Sequence, residues 1–284
     1  MSRLARIEPE DKSLDAGSNA FRARNVHIMR QQDRLGVILE RLSTHGSVDV
    51  ADLSGQLSVS QASVRRALQL LESQQLLTRT HGGAVSSGVL YELPMRYRGG
   101  QRHDAKRAIA KYAVGLPGKD VSSVGLNGGS TTTEVARALA GRTGLRVVTN
   151  ALNIAAELAV RTNIELVVCG GSARSESYEL VGPLAELTLA HLNLDLAFIG
   201  VDGISPTAGL TTHHEVEAQT NRALVRTAAR AAVVADSSKL GRRGFAKIGD
   251  LDLVTDLITD SAAAPDAVSA LQRAGIRVHL VDAS

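Results

Sequence analysis

Apolar residues recur at helical spacing twice in the first third of the chain. Between residues 30 and 44 they are Leu35, Ile38, Leu39 and Leu42. This spacing predicts a helix that stops near Gly46, because apolar side chains three and four positions apart share one helix face. A short segment at 51–57, apolar on one side, predicts a second helix.

The second stripe predicts a longer helix that runs to about residue 74. Val64, Leu68 and Leu71 form its apolar face. Ser60 is a good N-cap for this helix, because its hydroxyl can accept a hydrogen bond from a backbone N–H that is otherwise unpaired.

Two short strands are predicted after this helix. Residues 76–79 and 84–85 flank a tight turn at His81-Gly82-Gly83 and predict a small hairpin. Residues 1–29 lack sustained periodicity, so we interpret them as a mobile tail and residues 30–86 as the first domain.

The pattern changes after residue 103. Seven short apolar runs predict strands at 121–126, 145–148, 164–168, 194–199, 231–235, 254–258 and 276–281. Helical patterns lie at 104–112, 131–140, 151–160, 215–230 and 265–274. This alternation is typical of an α/β fold with a mainly parallel sheet covered on both faces. We therefore predict an α/β domain at 104–284, and a linker at 87–103, where apolar positions are few.

Composition favours a cytoplasmic protein. The N-terminus is charged and has no signal-peptide pattern, and no apolar run approaches the ~18 residues of a membrane span. The single cysteine, Cys169, cannot close an intrachain disulfide, which fits a reducing compartment. It lies in an apolar run and is predicted to be a buried structural thiol.

The charge distribution is uneven. The formal net charge is +3, with 14 Lys and Arg against 10 Asp and Glu through His103, and 18 against 19 after it. A basic excess in the N-terminal third is compatible with an anionic partner, although many basic faces are simply solvated.

A short helix, a tight turn and a second helix with outward basic and amide groups have the shape of a helix-turn-helix. Such a second helix fits the ~12 Å major groove of DNA. The candidate DNA-binding residues are Ser60, Gln61, Ser63, Arg65, Arg66, Arg79 and His81. The two arginines suit phosphate or guanine, and the hairpin pair could reach adjacent phosphate or the minor groove. The alternative is an ordinary surface helix with a solvated charged face.

This stretch resembles the DNA-binding signature of the DeoR family. The resemblance is carried by Val59-Ser60, Val64-Arg65-Arg66, Leu68, Leu71-Glu72, Leu77, Arg79 and His81-Gly82-Gly83-Ala84, and it continues through nearly all of residues 30–284. It implies a winged helix-turn-helix at the N-terminus of a sugar-responsive bacterial repressor. Two positions depart from the family pattern. Ala67 replaces an acidic residue that would hold Arg66, and Gln75 replaces a glycine.

A glycine-rich turn follows the first predicted strand of the second domain. The candidate effector-binding residues there are Asn127, Gly128, Gly129, Ser130, Thr131 and Thr132. Glycines let the backbone approach a ligand, and hydroxyls together with helix N-terminal N–H groups can hold a phosphate. A plain capped turn is the alternative. The turn is not a Walker A motif, so nucleotide hydrolysis is not expected.

Further candidates follow other predicted strands: Asn150, Gly171, Arg174, Asp202 and Lys239. The carboxyl ends of strands in an open α/β sheet converge on one crevice, so these residues predict a polar pocket. Arg174 or Lys239 would hold a phosphate there. Taken singly, each residue could instead be a surface charge or a turn former.

No metal or cofactor is expected. His213-His214-Glu215 invites a metal interpretation, but adjacent residues do not share a helix face and no second His or Cys cluster supports it. We expect these residues to form the polar N-terminus of a helix.

The resemblance also implies that the second domain is similar to ribose-5-phosphate isomerase. The turn matches the family's Asp-x-Gly-Ser-Thr-Thr loop with Asn127 in place of the aspartate, and Asp202-Gly203 and Lys239 lie where the isomerases have their own Asp-Gly and Lys motifs. Ile204-Ser205-Pro206 replaces the acidic residues that follow in the isomerases. We therefore expect a binding pocket without the base that isomerisation needs.

These observations together predict a DNA-binding repressor of a carbohydrate-utilisation operon, modulated by a phosphorylated sugar. Its partners would be double-stranded operator DNA and the metabolite, and it would act as a homodimer or homotetramer because operators are two-fold. A sugar-phosphate isomerase with a DNA-binding appendage is the first alternative. A basic protein-docking module is the second.

Overall fold

The computed structural model describes residues 31–74, 76–86, 95–98, 102–118 and 120–283. The predicted tail at 1–29 and most of the predicted linker at 87–103 lie outside these ranges. The domain boundaries therefore stay predictions.

The N-terminal part is a winged helix-turn-helix, as predicted. Its elements are α1 (Gln31–His45), β1 (Ser47–Asp49), α2 (Val50–Leu57), α3 (Gln61–Ser73), β2 (Thr78–Arg79) and β3 (Gly83–Val85). The Asp49 carboxylate begins α2 by accepting from the backbone N–H groups of Ala51 and Asp52, at 2.6 and 3.2 Å. Ser58 ends α2 in the left-handed region, at φ 52°. These local signals produce the tight turn between α2 and α3.

The wing is a three-stranded antiparallel sheet in the order β1-β3-β2. The sequence predicted only its hairpin, because β1 has three residues and pairs across more than thirty positions. Both predicted apolar stripes are buried beneath it: Leu35, Ile38, Leu39, Leu42, Val64, Leu68 and Leu71.

Two short helices lead into the second domain. They are α4 (Met95–Arg98) and α5 (His103–Ala113). The helix α4 falls inside the segment predicted as a linker. Its Met95 and Tyr97 side chains are buried, and Tyr97 belongs to the core of the helix-turn-helix.

The second domain is an α/β fold. In chain order its elements are β4 (Ser123–Leu126), α6 (Ser130–Leu139), β5 (Leu145–Thr149), α7 (Leu152–Leu158), β6 (Ile164–Val168), β7 (Ser172–Arg174), β8 (Glu179–Val181), α8 (Pro183–Ala190), β9 (Leu194–Ile199), β10 (Gly203–Ser205), β11 (Gly209–Thr212), α9 (Glu215–Arg226), β12 (Ala228–Val234), β13 (Ala246–Gly249), β14 (Asp256–Asp260), α10 (Pro265–Arg273) and β15 (Arg277–Val281).

Seven of these strands form one parallel sheet in the order β15-β14-β12-β9-β4-β5-β6. They are the seven strands that the apolar runs predicted, with bounds shifted by up to three residues. One core packs α5, α6 and α7 on one face, and a second packs α8, α9 and α10 on the other. The predicted parallel sheet with two covered faces is therefore confirmed.

The structure corrects several local predictions. The helix predicted at 215–230 ends at Arg226, because the chain enters β12 at Ala228 and pairs with β9 from that residue. The sequence interpretation missed α8 and two small sheets, β10-β11-β13 and β7-β8. Cys169 is buried and free, as predicted, and burial raises the pKa of its thiol to about 11.

Within the described ranges, no helix combines the length and the apolar character needed to cross a bilayer.

Candidate functional site

The helix α3 presents a polar, basic face to solvent. Val64, Ala67, Leu68 and Leu71 turn inward and are buried. The exposed positions on the other side are Gln61, Ala62, Arg65, Arg66, Gln69 and Ser73. Three of the predicted DNA-binding residues, Gln61, Arg65 and Arg66, therefore share one exposed surface.

Hydrogen bonds within α3 orient this surface. The Ser60 hydroxyl accepts from the Ser63 amide at 3.2 Å, so Ser60 is the N-cap that the sequence predicted. The two serine hydroxyls lie 3.0 Å apart. Arg65 donates to the Gln61 side-chain oxygen at 3.2 Å, which holds the two groups side by side.

Ala67 lies on the buried side of α3. The Arg66 guanidinium instead donates to the Ala62 carbonyl at 3.4 Å. The backbone of α3 therefore orients Arg66 in the absence of the acidic neighbour that the family pattern has.

The wing lies against the end of α3. The Arg79 backbone N–H donates to Glu72 at 3.1 Å, and the two side chains form an ion pair at 3.7 Å. Arg79 and His81 are exposed. The hairpin pair is thereby anchored to the helix that carries Arg65 and Arg66.

A cavity of about 390 Å³ lies at the carboxyl ends of the central strands. Strand order reverses between β4 and β9, where open α/β sheets bind their ligands. Asn127, which follows β4, joins the two strand ends. Its side chain donates to the Gly200 carbonyl at 3.0 Å and accepts from the Gly200 amide at 2.8 Å.

Seven of the eleven predicted effector-binding residues line this cavity: Asn127, Gly128, Gly129, Ser130, Thr131, Asp202 and Lys239. Four do not. Thr132 donates to the Gly129 carbonyl, Asn150 donates to the Leu180 carbonyl, and Gly171 packs on the backbone of β8. Arg174 is held by Glu217 at 2.7 Å. Thr132 and Arg174 thereby hold two residues that do line the cavity, Gly129 and Glu217.

Asp202 lies at the centre of the charged groups. Its carboxylate is 3.4 Å from both Arg98 and Lys239 and accepts from the Thr212 hydroxyl at 3.0 Å. His213 lies 3.9 Å away. Burial alone would raise the pKa of Asp202, but the neighbouring cations hold it well below the usual range.

Basic residues that the sequence interpretation did not single out cluster beside Asp202. Lys106 is buried on α5 and donates to the Arg98 carbonyl at 2.7 Å. Burial, reinforced by Lys239 and Arg98, lowers the pKa of Lys106 to about 8. Arg102 donates to the Ser237 hydroxyl at 3.1 Å. The predicted linker and α5 therefore supply much of the positive charge of the cavity.

The other side of Asp202 is acidic. Glu179 and Glu217 are both buried and line the cavity. Glu179 accepts from the Gly128 amide at 2.6 Å, and a Cβ at Gly128 would overlap the Glu179 side chain. Burial, together with the charge of Glu217, raises the pKa of Glu179. The sequence interpretation considered only the residues next to Asp202 in sequence, so it did not single out these two carboxylates.

The histidine pair was correctly placed at a helix start, because His214 is the N-cap position of α9. Its side chain makes no capping hydrogen bond. His213 lines the cavity instead. Across the described part of the chain, no three His, Cys, Asp or Glu side chains form a group suited to a metal ion.

Two family profiles match the chain. The DeoR-like helix-turn-helix domain matches residues 34–88, and the DeoR C terminal sensor domain matches residues 101–261. The chain belongs to the DeoR family of transcriptional regulators. The predicted resemblance is therefore confirmed.

Relatives cover nearly the whole of this DeoR-family regulator. A protein of Escherichia coli O157:H7, named as a candidate repressor of the aga operon, is 35% identical and covers 93% of this chain and 99% of its own. The regulator GlpR of Haloferax volcanii is 36% identical over 88% of this chain and 98% of its own. The glycerol-3-phosphate regulon repressor of Escherichia coli K12 is 31% identical over 86% and 95%. Each of these relatives is named as a regulator, so the isomerase alternative finds no support among them.

Solved structures show more distant likeness. The full-length sorbitol operon regulator SorC of Klebsiella pneumoniae is 12% identical, with a TM-score of 0.38 over 84% of this chain and 98% of that one. Ribose 5-phosphate isomerase A of Methanocaldococcus jannaschii is 23% identical, with a TM-score of 0.37 over 49% and 55%.

Proposed function

We propose that this DeoR-family regulator represses a carbohydrate-utilisation operon and that a phosphorylated sugar in the cavity controls its affinity for operator DNA. One observation carries the proposal. The cavity of the sensor domain is also lined by Leu39 and Glu40 of α1, a helix of the DNA-binding domain. A ligand in the cavity therefore contacts both functional parts of the protein. The names of the relatives, which refer to the aga operon and a glycerol-3-phosphate regulon, support a role in carbohydrate metabolism.

On DNA, α3 would occupy the major groove. Gln61, Arg65 and Arg66 then face base edges and phosphates. Ser60 and Ser63 lie at the start of α3, where short side chains let the backbone approach. Arg79 and His81 on the wing would reach the adjacent phosphate or the minor groove. An operator partner also places the protein in the cytoplasm.

In the cavity, the basic group beside Asp202 would hold the phosphate. Lys106, Lys239 and Arg98 converge there, and a dianionic phosphate suits this density of positive charge. Ser130 and Thr131 face the same cavity from the start of α6. The volume of about 390 Å³ falls within the range of small-molecule sites.

We assign the coupling between ligand and DNA to α4. Its Tyr97 side chain is buried in the helix-turn-helix core, and the hydroxyl donates to Gln74, which caps the C-terminus of α3. Its Arg98 side chain reaches Asp202 in the cavity. Four residues thus join the DNA-reading helix to the effector site.

The backbone of α4 also lies directly on α1. A Cβ at Gly36 would overlap the Tyr97 carbonyl oxygen. A phosphate beside Arg98 competes with Asp202 for the guanidinium and so favours a different position of α4. A ligand shifts the DNA-binding equilibrium only by its unequal affinity for two arrangements, and the Arg98–Asp202 pair is a contact that distinguishes them.

Two-fold operators require at least a dimer. The full chain would bind half-sites separated by whole turns of DNA, about 34–36 Å each. Sedimentation of the full chain alone and with operator DNA measures the stoichiometry.

The test begins by recovering operator fragments with the full chain. Fragmented genomic DNA is incubated with the protein at low ionic strength, and the retained fragments are sequenced. Affinity for a retained fragment is then measured by fluorescence anisotropy at several salt concentrations. We expect the retained fragments to come from regions upstream of carbohydrate genes. We also expect log K to fall with log salt with a slope of about −0.9 per contacted phosphate.

Arg65→Ala and Arg66→Ala should each weaken fragment binding by about tenfold or more, because each removes a phosphate or base contact. Arg273→Ala is the matched control, since Arg273 is exposed on α10. If both α3 variants bind as tightly as wild type, α3 is not the recognition helix. If no genomic fragment is retained, the proposed function is wrong.

A further inference from the structure

Three polar side chains that do not line the effector cavity form a continuous hydrogen-bonded chain. The Tyr112 hydroxyl on α5 lies 2.9 Å from Nδ1 of His279 on β15. Nε2 of the same ring lies 2.8 Å from the carboxylate of Asp256, the first residue of β14. In this order of hydroxyl, imidazole and carboxylate, an imidazole can activate a nucleophile while the carboxylate orients the imidazole.

Asp256 determines the direction of both hydrogen bonds. It is fully buried, and Thr255 and Arg230 donate to its carboxylate at 2.6 and 2.8 Å. Burial alone would raise the pKa of Asp256, but the hydrogen bonds that it accepts lower this pKa to about 2. Because an ionised carboxylate only accepts, Nε2 of His279 carries the proton that it donates. In the neutral ring, Nδ1 then has a free lone pair and accepts from the Tyr112 hydroxyl.

Tyr112 is the member of this chain that a small molecule can reach from solvent. It is 43% exposed, whereas the His279 side chain is 15% exposed. Tyr112 also lines a groove of about 680 Å³. The apolar residues of this groove include Ala108, Leu116 and Leu280. A small apolar group bound there lies beside the tyrosine, while the imidazole behind the tyrosine is largely shielded from water.

Tyr178 provides a comparison within the same molecule. It is partly exposed, and its hydroxyl makes no hydrogen bond with a described residue. It therefore shows how a tyrosine of this protein reacts without an imidazole to accept its proton.

We propose that Tyr112 is a site of covalent acylation, which accepts an acyl group from an activated acyl donor such as an acyl phosphate or a reactive ester. The Tyr112 oxygen attacks the carbonyl carbon of the donor, and its proton passes to Nδ1 of His279. The bond between that carbon and the leaving oxygen then breaks. The leaving oxygen keeps the electron pair, and the proton returns from His279 to the leaving group or to solvent. An activated donor suits the site because its leaving group departs without further assistance.

This inference goes beyond the proposed function, because it involves a separate set of residues. The products are an O-acyl tyrosine and the free leaving group, so the step needs no oxidant or reductant. Asp256 acts as a positioning residue, since it contacts the imidazole and not the acyl donor.

The experiment uses the full chain with p-nitrophenyl acetate as the acyl donor. Each acetylation releases one p-nitrophenolate, which is followed by its absorbance, and peptide mass spectrometry locates the acetyl group. Hydroxylamine removes acetyl from a tyrosine ester but not from a lysine amide, so it distinguishes the two products. We expect Tyr112 to be acetylated at least about tenfold faster than Tyr178, because a positioned general base contributes at least this factor. Equal rates at the two tyrosines would overturn the proposal.

The variant His279→Gln removes the base and keeps a side chain that can bond the Tyr112 hydroxyl. It should slow acetylation of Tyr112 by about tenfold or more and leave that of Tyr178 unchanged. Asp256→Asn should also slow Tyr112, because it removes the charge that orients the ring. His191→Gln is the matched control, since His191 is exposed and bonds a carbonyl of its own helix.

The outcomes distinguish a reactive site from a structural contact. If His279→Gln acetylates Tyr112 as fast as wild type, the hydrogen bond only holds α5 against β15 and the proposal is wrong. A label confined to hydroxylamine-stable lysine amides would likewise exclude Tyr112 as the acceptor. The comparison of Tyr112 with Tyr178 in the wild-type protein remains decisive even if a variant does not fold.

Discussion

Lys106 illustrates how a single side chain combines burial with charge. Lys106 is 4% exposed, yet it lines the cavity. Its ammonium group donates a hydrogen bond to the Arg98 carbonyl. Such a group is stabilised as a cation when an anion arrives, because the anion replaces the solvation that burial removed. A bound phosphate should therefore raise the pKa of Lys106, which burial lowers to about 8.

The first prediction follows at this residue. Lys106→Met should weaken sugar-phosphate binding by about tenfold or more, since it removes a buried charge that is worth at least ~1.4 kcal/mol to a phosphate. Lys111→Met on the exposed side of α5 is the control. Calorimetric titration of both variants measures the effect. Equal affinities in the two variants would remove Lys106 from the site.

Glu179 gives the second prediction. Its pKa is raised in the folded protein from the ordinary 4.5 to about 8. Between these values the unfolded chain releases the proton while the folded protein keeps it, so stability falls as pH rises. The free energy of unfolding in urea should therefore decline less in Glu179→Gln than in wild type between pH 5 and pH 7.5, with a difference of at most about 1.4 kcal/mol per pH unit. Parallel pH profiles would contradict the raised pKa.

At the scale of elements, α4 is the shortest α-helix of the described chain, and it has contacts in both domains. Tyr97 packs in one core, and Arg98 enters the cavity of the other domain. A four-residue helix has no stability of its own, so its position is set by these contacts. It is suited to move when one of the contacts is replaced.

The third prediction tests this role. Gly36→Ala would force the Tyr97 carbonyl away from α1. We expect the ratio of DNA affinities without and with sugar phosphate to fall to about threefold or less, below the 5- to 150-fold typical of coupled sites. Gly55→Ala on α2 is the matched control, because a Cβ there meets open space. Anisotropy titrations with and without the ligand measure both ratios, and an unchanged ratio in Gly36→Ala would exclude α4 as the coupling element.

The sequence predicted long, strongly patterned elements well. The seven sheet strands are nearly continuous apolar runs because both of their faces are buried, and that signal is local. The helix α8 was missed because Leu184 and Leu187 are exposed while Ala185 and Leu189 are buried, which leaves no amphipathic stripe. The strands β7, β8 and β10 have three residues each, too few for a period to be visible.

The sequence predicted residues of the candidate site only where a polar or charged side chain follows a predicted strand. Asn127, Asp202 and Lys239 do so, and they line the cavity. Arg98 comes from a segment without a pattern, and Glu179 begins a three-residue strand. Their convergence depends on tertiary contacts between residues about 80 positions apart, which spacing along the chain does not reveal.

At the scale of the whole molecule, charge is divided between the two functions. Among the described residues, the basic charge before His103 contributes to two surfaces: α3, with Arg65 and Arg66, and the cavity, with Arg98 and Arg102. A count of Lys and Arg residues in this part of the chain therefore overstates the positive charge that is available to contact DNA. The sensor domain contributes the acids Glu179, Asp202 and Glu217, which offset the inward-facing cations.

The contacts of α4 with both domains also affect the thermal unfolding of the protein. Because Tyr97 completes the core of the helix-turn-helix while Met95 and Arg98 border the sensor cavity, neither part can lose its order without exposing surface that belongs to the other. Differential scanning calorimetry should accordingly record one cooperative heat-absorption peak. Two separated peaks would mean that the two domains unfold independently and that α4 does not couple their unfolding.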